Sequence, residues 1–403
     1  MAFKYNFRGV VGKDFTIKDI KSFARGAIDY IYSKQLSPMV ILAKDNRVTG
    51  DYILSVLQSE LLLYGVGVYL LSEPATTPEL VFLTKKFKFG LGIMVTASHN
   101  ASEYNGIKCF SKSGYPVIIK DVSKKNCKNK KYAKLIYVNN FKDLYLNELK
   151  TRIRTIDANV IFDCANGSAT YIVRSLLPKN RIVGTELSGQ YINNDFGTEH
   201  IHNLRARCTK HNAIGFAFDG DADRVIAVDE DGSVIDGDKI LFILASQNLG
   251  LGDVVVGTQV TSMALERSLG KLGIKLIRTN VGSQYVVECM KERNARLGGE
   301  NCGHIFNNLN YSDGIGVAIE LINIISRTGK TFKQLLSEYE HTFIQSSNID
   351  YIDNVDEVDI IENNMHIIVR KSRTENKVRL MVEGYNEREV RFKHEQMLNI
   401  LHN

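Results

Sequence analysis

Asp219, Asp221 and Asp223 stand at alternate positions, separated only by Gly220 and Ala222 and followed by Arg224. They come directly after the apolar run Ile214 to Phe218, which places them on a tight loop at the end of an expected strand. Three carboxylates on such a loop can converge on one side, and without a cation between them they would repel one another strongly. A hard divalent metal answers that repulsion. An EF-hand loop is the competing pattern, because Asp219, Asp221, Asp223 and Glu230 match its first, third, fifth and twelfth positions. Arg224, however, stands at the sixth position, where that loop needs Gly, and the flanks read as strands. Mg²⁺ completed by phosphate oxygens and waters fits better, with a solvated acidic turn as the structural alternative.

Three further loops carry usable groups. Thr96-Ala97-Ser98-His99-Asn100 follows the apolar run Leu91 to Val95, and in open α/β sheets ligands bind at the carboxyl ends of strands, which makes Ser98 a candidate nucleophile. Taken alone, Ser, His and Asn in a loop are more often turn residues that satisfy local hydrogen bonds. Lys108 lies ten residues beyond Ser98, close enough to return to the same loop. It could pair with a phosphate or, with its pKa lowered by burial, exchange a proton with a sugar hydroxyl. Gly298 to His304 pairs Glu300 with His304 across a small flexible bend; Glu300 could accept from two sugar hydroxyls, and His304 could orient or protonate. An ordinary loop with a capping Glu is the alternative there. Arg370-Lys371-Ser372-Arg373-Thr374 lies between two expected strands and offers guanidinium, hydroxyl and backbone donors suited to a phosphate dianion, or else a solvated hairpin turn.

These loops need a scaffold that ends several strands near one another. Short β-branched runs alternate with amphipathic stretches at Pro38 to Leu42, Asp51 to Tyr64, Gly67 to Leu71, Glu79 to Lys86 and Leu91 to Val95. The rhythm restarts at Asn159 to Phe162 and again at Asp253 to Thr258, which continues through a helix to Leu269 and a strand at Lys275 to Thr279. That alternation predicts βαβ units and parallel pairing. The division expected is residues 1–142, 143–235 and 236–340 as three α/β domains, then 341–403 as a small α+β domain with strands at His366 to Arg370 and Val378 to Val382 and a helix from Glu387. A lysine-rich run from Lys124 to Lys134 reads as a solvated surface turn or helix.

The 403 residues, 44% hydrophobic and 24% charged, suffice for several cores. A net charge of +6 is mild for this length; it suits an anionic substrate without requiring one, and on charge alone nucleic-acid binding is the lesser expectation. Six scattered cysteines show neither a disulfide framework nor zinc spacing, which fits a reducing, cytoplasmic setting. No stretch has the length of a membrane span or the apolar core of a signal peptide.

Together, in this order, the loops resemble the α-D-phosphohexomutase superfamily over nearly the whole chain. Ser98 matches that family's active-site serine in Thr-x-Ser-His-Asn, Asp219 to Arg224 its metal loop, Gly299 to His304 its sugar loop, and Arg370, Ser372 and Thr374 its phosphate loop. Arg8-Gly9-Val10-Val11-Gly12 is similar to the family's Arg-Gly-x-x-Gly segment, and Asp45, Arg47 and Gly50 to a first-domain Asp-x-Arg-x-x-Gly. Val234 to Ile240, the Gly-Glu-Asn loop and Arg379 to Gly384 look most like the bacterial phosphoglucosamine mutase branch. The phosphomannomutase/phosphoglucomutase branch follows closely through Arg8 to Gly12 and His304-Ile305-Phe306.

The resemblance implies three α/β domains with mixed sheets and a small C-terminal α+β domain around one deep active-site cleft. It implies interconversion of hexose 6-phosphate and hexose 1-phosphate through phosphoserine 98, with glucosamine phosphate as the expected sugar. Ser98, Lys108, His99, Arg8, Arg224 and His304 would be catalytic, and Ser98, Asp219, Asp221 and Asp223 would hold Mg²⁺. Glu300 and Cys302 would bind sugar, and Arg370, Ser372, Thr374 and Arg379 phosphate. A hexose 1,6-bisphosphate would be the activator or intermediate. The partner would be a small sugar phosphate, with no nucleic acid and no membrane, in a cytoplasmic monomer or homodimer. Departures fall on sugar recognition: Cys302 stands where the family usually has Ser, Arg373 and Asn376 replace its Gly and Pro, Asn280 and Ser283-Gln284 replace charged residues, and Ala101 replaces a proline. A thiol is a weaker hydrogen-bonding group than a hydroxyl. A metal-dependent phosphatase and a sugar-phosphate-binding member without turnover are the rival readings.

Overall fold

The computed structural model describes residues 7–120, 132–139, 141–154, 158–178, 180–308, 311–350, 355–372 and 377–402. It forms two compact units, Met1–Gly237 with Cys302–Lys333, and Asp238–Asn301 with Gln334–Asn403.

The first unit is built on two mixed sheets. One runs in the order Phe7–Val10, Tyr104–Ser111, Leu91–Val95, Met39–Lys44, Gly67–Leu71, Leu135–Val138. The last four strands are mutually parallel, whereas Tyr104–Ser111 is antiparallel to both of its neighbours. Leu91–Val95 is buried at every position because both faces of the sheet are covered. Alternate side chains feed two cores: Val40, Leu42, Ile93 and Val95 pack with helices Ile17–Ser33 and Gly50–Leu63. Ile41, Ala43 and Met94 pack with helix Thr77–Lys86 on the other face. Truncating a fully buried Ile93 to Ala would cost about 2–5 kcal/mol. Helix Thr77–Lys86 starts on a capping box, the Thr76 hydroxyl accepting from Glu79 N while Glu79 reaches back to Thr76 N.

The second sheet runs Val234–Ile235, Val225–Val228, Ile214–Phe218, Val160–Asp163, Arg181–Val183. Its first two pairings are antiparallel and its last two parallel. Phe218 pairs with Val225, so the acidic residues occupy the connection of a β-hairpin.

In the second unit, Val254–Thr258 pairs in parallel with Lys275–Thr279 and with Leu297–Gly299, among helices Met263–Lys271 and Ser283–Arg293. An antiparallel sheet follows, in the order Phe343–Asp350, Lys377–Gly384, Met365–Lys371, Val358–Glu362, with helix Glu387–His402 packed on it through Val390, Met397 and Leu398. The fully buried Glu383 accepts from Met263 N at 2.9 and 3.0 Å, a carboxylate at the N-terminus of helix Met263–Lys271, where the helix dipole favours negative charge.

Three α/β domains and an antiparallel-sheet end domain are thus present, as the alternation predicts. The end domain has four strands rather than the two expected. Phe343–Asp350 and Val358–Glu362 are mostly exposed edge strands, so they lack the alternating apolar pattern that marks a half-buried strand. Residues 121–131, which hold most of the lysine-rich run, lie outside the described residues. The five described cysteines are free, and among the described residues no helix is long and apolar enough to cross a membrane.

Candidate functional site

Within the first unit the serine loop and the acidic hairpin meet. Ser98 follows the buried strand Leu91–Val95, is 2% exposed, and has a left-handed backbone at φ 55°. For a residue with a Cβ that conformation costs of order 1 kcal/mol or more, so surrounding contacts must hold it. Thr96 Oγ accepts from Ser98 N at 2.9 Å and donates to Asp45 Oδ2 at 2.6 Å. The buried guanidinium of Arg47 pairs with Asp45 and donates to the carbonyls of Ser98, Asn100, Ala101 and Tyr104. Arg47 therefore gathers the whole serine loop around one planar donor fork. So held, Ser98 donates from its Oγ to Asp219 Oδ2 at 2.6 Å.

Asp219, Asp221 and Asp223 are all buried, and one oxygen of each lies within 4.8 Å of the others. Asp221 Oδ2 accepts from Thr77 Oγ at 2.5 Å and from Lys108 Nζ at 2.7 Å, while Asp221 Oδ1 is buried and receives no hydrogen bond. Lys108 also reaches Asp223 Oδ2 at 2.5 Å, and His304 Nε2 lies 3.0 Å from Asp223 Oδ1. The hairpin backbone is tied down by Ser312, whose Oγ donates to Asp223 O at 2.5 Å, and by Thr77 N on Asp221 O at 2.9 Å.

Burial, then Asp223 and Asp221, raises the carboxyl of Asp219 above its ordinary range. Burial would raise Asp223 too, but His304, Lys108 and Arg224 overcome it and hold that carboxyl well below its usual range. The three cannot all keep full charge without more positive charge among them. Crowded, buried, hard oxygen donors, with Asp221 Oδ1 and Asp223 Oδ1 receiving no hydrogen bond, fit a divalent cation.

Burial pulls the Lys108 ammonium down, yet Asp221, Asp223 and Asp219 outweigh it and keep it above its usual value. This corrects the expectation that burial lowers the Lys108 pKa: beside three carboxylates it is a cation, which leaves the other expected role, pairing with a phosphate. The chain turns back after the serine loop, as expected, and Lys108 sits on Tyr104–Ser111 opposite Met94, with its ammonium on the acidic hairpin. Burial, with Arg224 and Arg8, lowers His99 to about 2, and its buried Nδ1 receives no hydrogen bond. The ring is neutral. Arg8, opposite Gly106 on Phe7–Val10, donates to Asn100 Oδ1 at 2.7 Å. Burial, then Arg224, lowers its guanidinium below the usual value. Arg224 donates from its backbone to Asp219 Oδ1 at 3.2 Å and lies 3.6 Å from Glu199.

The first unit thus brings together Ser98, His99, Arg8, Lys108, Arg224, His304 and the three aspartates. Cys302 is half-buried in the same unit, beside Gly303, whose φ of 90° and closeness to Val225 O leave no room for a side chain. Glu300 belongs to the second unit and is buried at the end of strand Leu297–Gly299. Arg370 and Arg379, also in the second unit, are direct partners across an antiparallel pair, two guanidinium-bearing residues on one face. Ser372 N donates to Lys377 O at 2.8 Å where the strands close. Thr374, with residues 373–376, lies outside the described residues.

Several site residues escape sequence reasoning. Thr77 is visible only as the first helical residue of a capping box, Ser312 and Asn193 carry no local signal, and Arg47 was marked only by its segment.

Three family models of phosphoglucomutase/phosphomannomutase match the chain: α/β/α domain I over residues 3–128, domain II over 136–232 and domain III over 236–343. The chain is 33% identical to the phosphoglucosamine mutase of Oceanobacillus iheyensis over 89% of each chain. Among solved structures it is similar to a phosphoglucomutase/phosphomannomutase family protein of Burkholderia thailandensis, with a TM-score of 0.81, 21% identity and coverage of 98% of this chain and 96% of that one. It is also similar to the Aspergillus fumigatus N-acetylphosphoglucosamine mutase solved with GlcNAc-6P and magnesium, with a TM-score of 0.62, 17% identity and coverage of 81% and 92%. Matching models from residue 3 to residue 343 and a relative above 30% identity establish that the chain belongs to the phosphoglucomutase/phosphomannomutase family, the phosphohexomutases of the isomerase class.

Proposed function

We propose that this enzyme converts glucosamine 6-phosphate to glucosamine 1-phosphate, carrying the phosphoryl group on Ser98. The observation that carries the proposal is the Ser98 Oγ held 2.6 Å from Asp219 in a buried triad of carboxylates. The choice of sugar is supported by the curated phosphoglucosamine mutase relatives. The motifs Arg8 to Gly12 and His304-Ile305-Phe306 favour phosphomannose or phosphoglucose as the second reading. The division at 142/143, 235/236 and 340/341 belongs to the same reading, as does a cytoplasmic monomer or homodimer without nucleic-acid or membrane partners.

Asp219, Asp221, Asp223 and the Ser98 oxygen would hold Mg²⁺, which supplies charge neutralisation to a transferring phosphoryl group. Magnesium accompanies sugar phosphate in the Aspergillus relative's structure. In the first half-reaction the bond from phosphorus to Ser98 Oγ breaks and a bond to the 1-hydroxyl oxygen of the hexose 6-phosphate forms. The hydroxyl proton departs to solvent as the freed Ser98 oxygen takes one up, and the product is the 1,6-bisphosphate, with His304 beside Asp223 placed to orient the sugar hydroxyl. In the second, the bond from phosphorus to the 6-oxygen breaks and one to Ser98 Oγ forms, the serine hydroxyl proton leaving as the 6-oxygen gains one, which restores phosphoserine and leaves the 1-phosphate. Lys108, Arg8 and Arg224 stabilise charge on the transferring oxygens, and neutral His99 can donate or accept a hydrogen bond beside Ser98 without adding charge. Arg370, Ser372, Thr374 and Arg379 are assigned to the phosphate that is not reacting, supported by the two opposed arginines, whose repulsion an anion relieves. Glu300 and Cys302 are assigned to sugar hydroxyls.

The test is a coupled assay with Mg²⁺ and glucose 1,6-bisphosphate, against glucosamine 6-phosphate, mannose 1-phosphate and glucose 1-phosphate, with Ser98→Ala as control. Turnover of the amino sugar above the others, lost in Ser98→Ala, is expected. Preference for mannose or glucose would select the second reading, steady release of inorganic phosphate would mark a phosphatase, and binding without turnover a silent member of the family.

A further inference from the structure

We infer that Asn193 is a positioning residue for phosphoryl transfer, a clamp from the second α/β domain that fixes the Ser98 carbonyl and with it the direction of the Ser98 hydroxyl. The inference rests on the role of Ser98 proposed above.

Asn193 is 5% exposed and lies in the segment between strands Arg181–Val183 and Ile214–Phe218. Its Nδ2 donates to two carbonyls of the serine loop, Ser98 O at 2.7 Å and Asn100 O at 2.9 Å. Arg47 Nη2 donates to the same two, at 2.9 Å and 2.7 Å, from the first domain. Each carbonyl thus receives one bond from each domain. Asn193 is itself anchored, with φ at 59° and its backbone N–H donating to Ala165 O at 2.8 Å.

The clamp closes on the strained point of the loop. Ser98 has a left-handed backbone, and turning its peptide toward an ordinary conformation would swing the carbonyl away from both donors. Gly220 lies directly beyond that carbonyl: a side chain there would approach Ser98 O within 2.9 Å. The Ser98 carbonyl is therefore pinned by Arg47 on the first domain and by Asn193 on the domain that carries the acidic hairpin. Through it the nucleophile is registered to Asp219. Asn193 does not reach the Ser98 hydroxyl, so it acts on geometry and not on the reacting atoms. A misplacement of about 1 Å at a reacting centre can lower rate about 100-fold while leaving substrate affinity nearly intact.

The test compares full-length Asn193→Ala and Asn193→Asp with the native protein. Steady-state rates, Mg²⁺ affinity by isothermal titration and single-turnover transfer from phosphoserine 98 to the sugar, followed by mass spectrometry, are measured. We expect kcat and the single-turnover rate to fall about 10- to 100-fold, KM to change less than about threefold, and Mg²⁺ affinity to stay within about threefold. Asn193→Asp, which sets a carboxylate against two carbonyls, should be the slower. Folded variants with native single-turnover rates, or losses confined to KM, would overturn the clamp. So would failure of both variants to fold, since the residue would then serve stability. If the native protein never carries phosphate on Ser98, the proposed function fails first and is seen to fail separately.

Discussion

The first unit buries two kinds of carboxylate, and they differ in how their oxygens are used. Asp163 gives one oxygen to Ala165 N and the other to Gly197 N, each at 2.9 Å. Asp45 is filled by Arg47 and Thr96, and Asp313 by Tyr145, Gly316 and Arg152. Each has donors on both oxygens. In the hairpin, three acids crowd together, and Asp221 Oδ1 receives no hydrogen bond. A buried carboxylate that serves the fold has most of its acceptors filled, whereas a site suited to a cation keeps acceptors in reserve. Glu79 falls between the two, with one oxygen on Thr76 N and the other buried without a donor, and no acid cluster around it.

The contrast can be broken by exchanging its outcomes. Asp221→Asn should lower Mg²⁺ affinity and turnover by more than about 100-fold, since even the partners of metal ligands are worth about 10- to 100-fold, while thermal stability holds or rises. Unchanged Mg²⁺ affinity by calorimetry would place Asp221 with the filled acids. Asp163→Ala should do the reverse, leaving two buried N–H groups without acceptors and costing about 2–4 kcal/mol in urea unfolding, with Mg²⁺ affinity retained.

Glu79→Gln sharpens the middle case through pH. Burial raises the Glu79 carboxyl from 4.5 to about 7. Between those values the folded state holds a proton that the unfolded chain has released, so the stability contributed by this group falls as pH rises across that window. Glutamine stays neutral. The variant should match the native protein near pH 4.5 and exceed it by about 1–3 kcal/mol at pH 8. A pH-independent difference would mean the carboxylate is compensated. The smallest effect is expected from Thr77→Val, which keeps the shape but removes one donor from Asp221 and should weaken Mg²⁺ binding about 10-fold by titration.

How much of this was legible in the sequence follows from distance along the chain. Asp219, Asp221, Asp223 and Arg224 are one hairpin, and Ser98 with His99 one loop, so type and spacing reveal them. Lys108 was found as a residue, but the choice between a cation and a lysine with a lowered pKa stayed open, because its carboxylate partners lie 113 and 115 residues away. Thr77 meets Asp221 across 144 residues, Asn193 meets Ser98 across 95, and Ser312 meets Asp223 across 89. No local period encodes such meetings; they exist only once two sheets have packed. The fold behaves likewise: strands buried on both faces, such as Leu91–Val95, announce themselves as apolar runs, whereas the exposed edge strand Val358–Glu362 does not.

Gly220 has one more implication. A Cβ there would come within 2.9 Å of Ser98 O, and a Cβ on Gly167 within 2.8 Å of the Gly220 Cα. Main chain is therefore stacked on main chain, and the gap between Ser98 and the hairpin is set by the thickness of polypeptide itself. A spacer of that kind has no rotamers, so it cannot slacken with temperature or be retuned by degrees. Any side chain at either glycine must displace main chain at once.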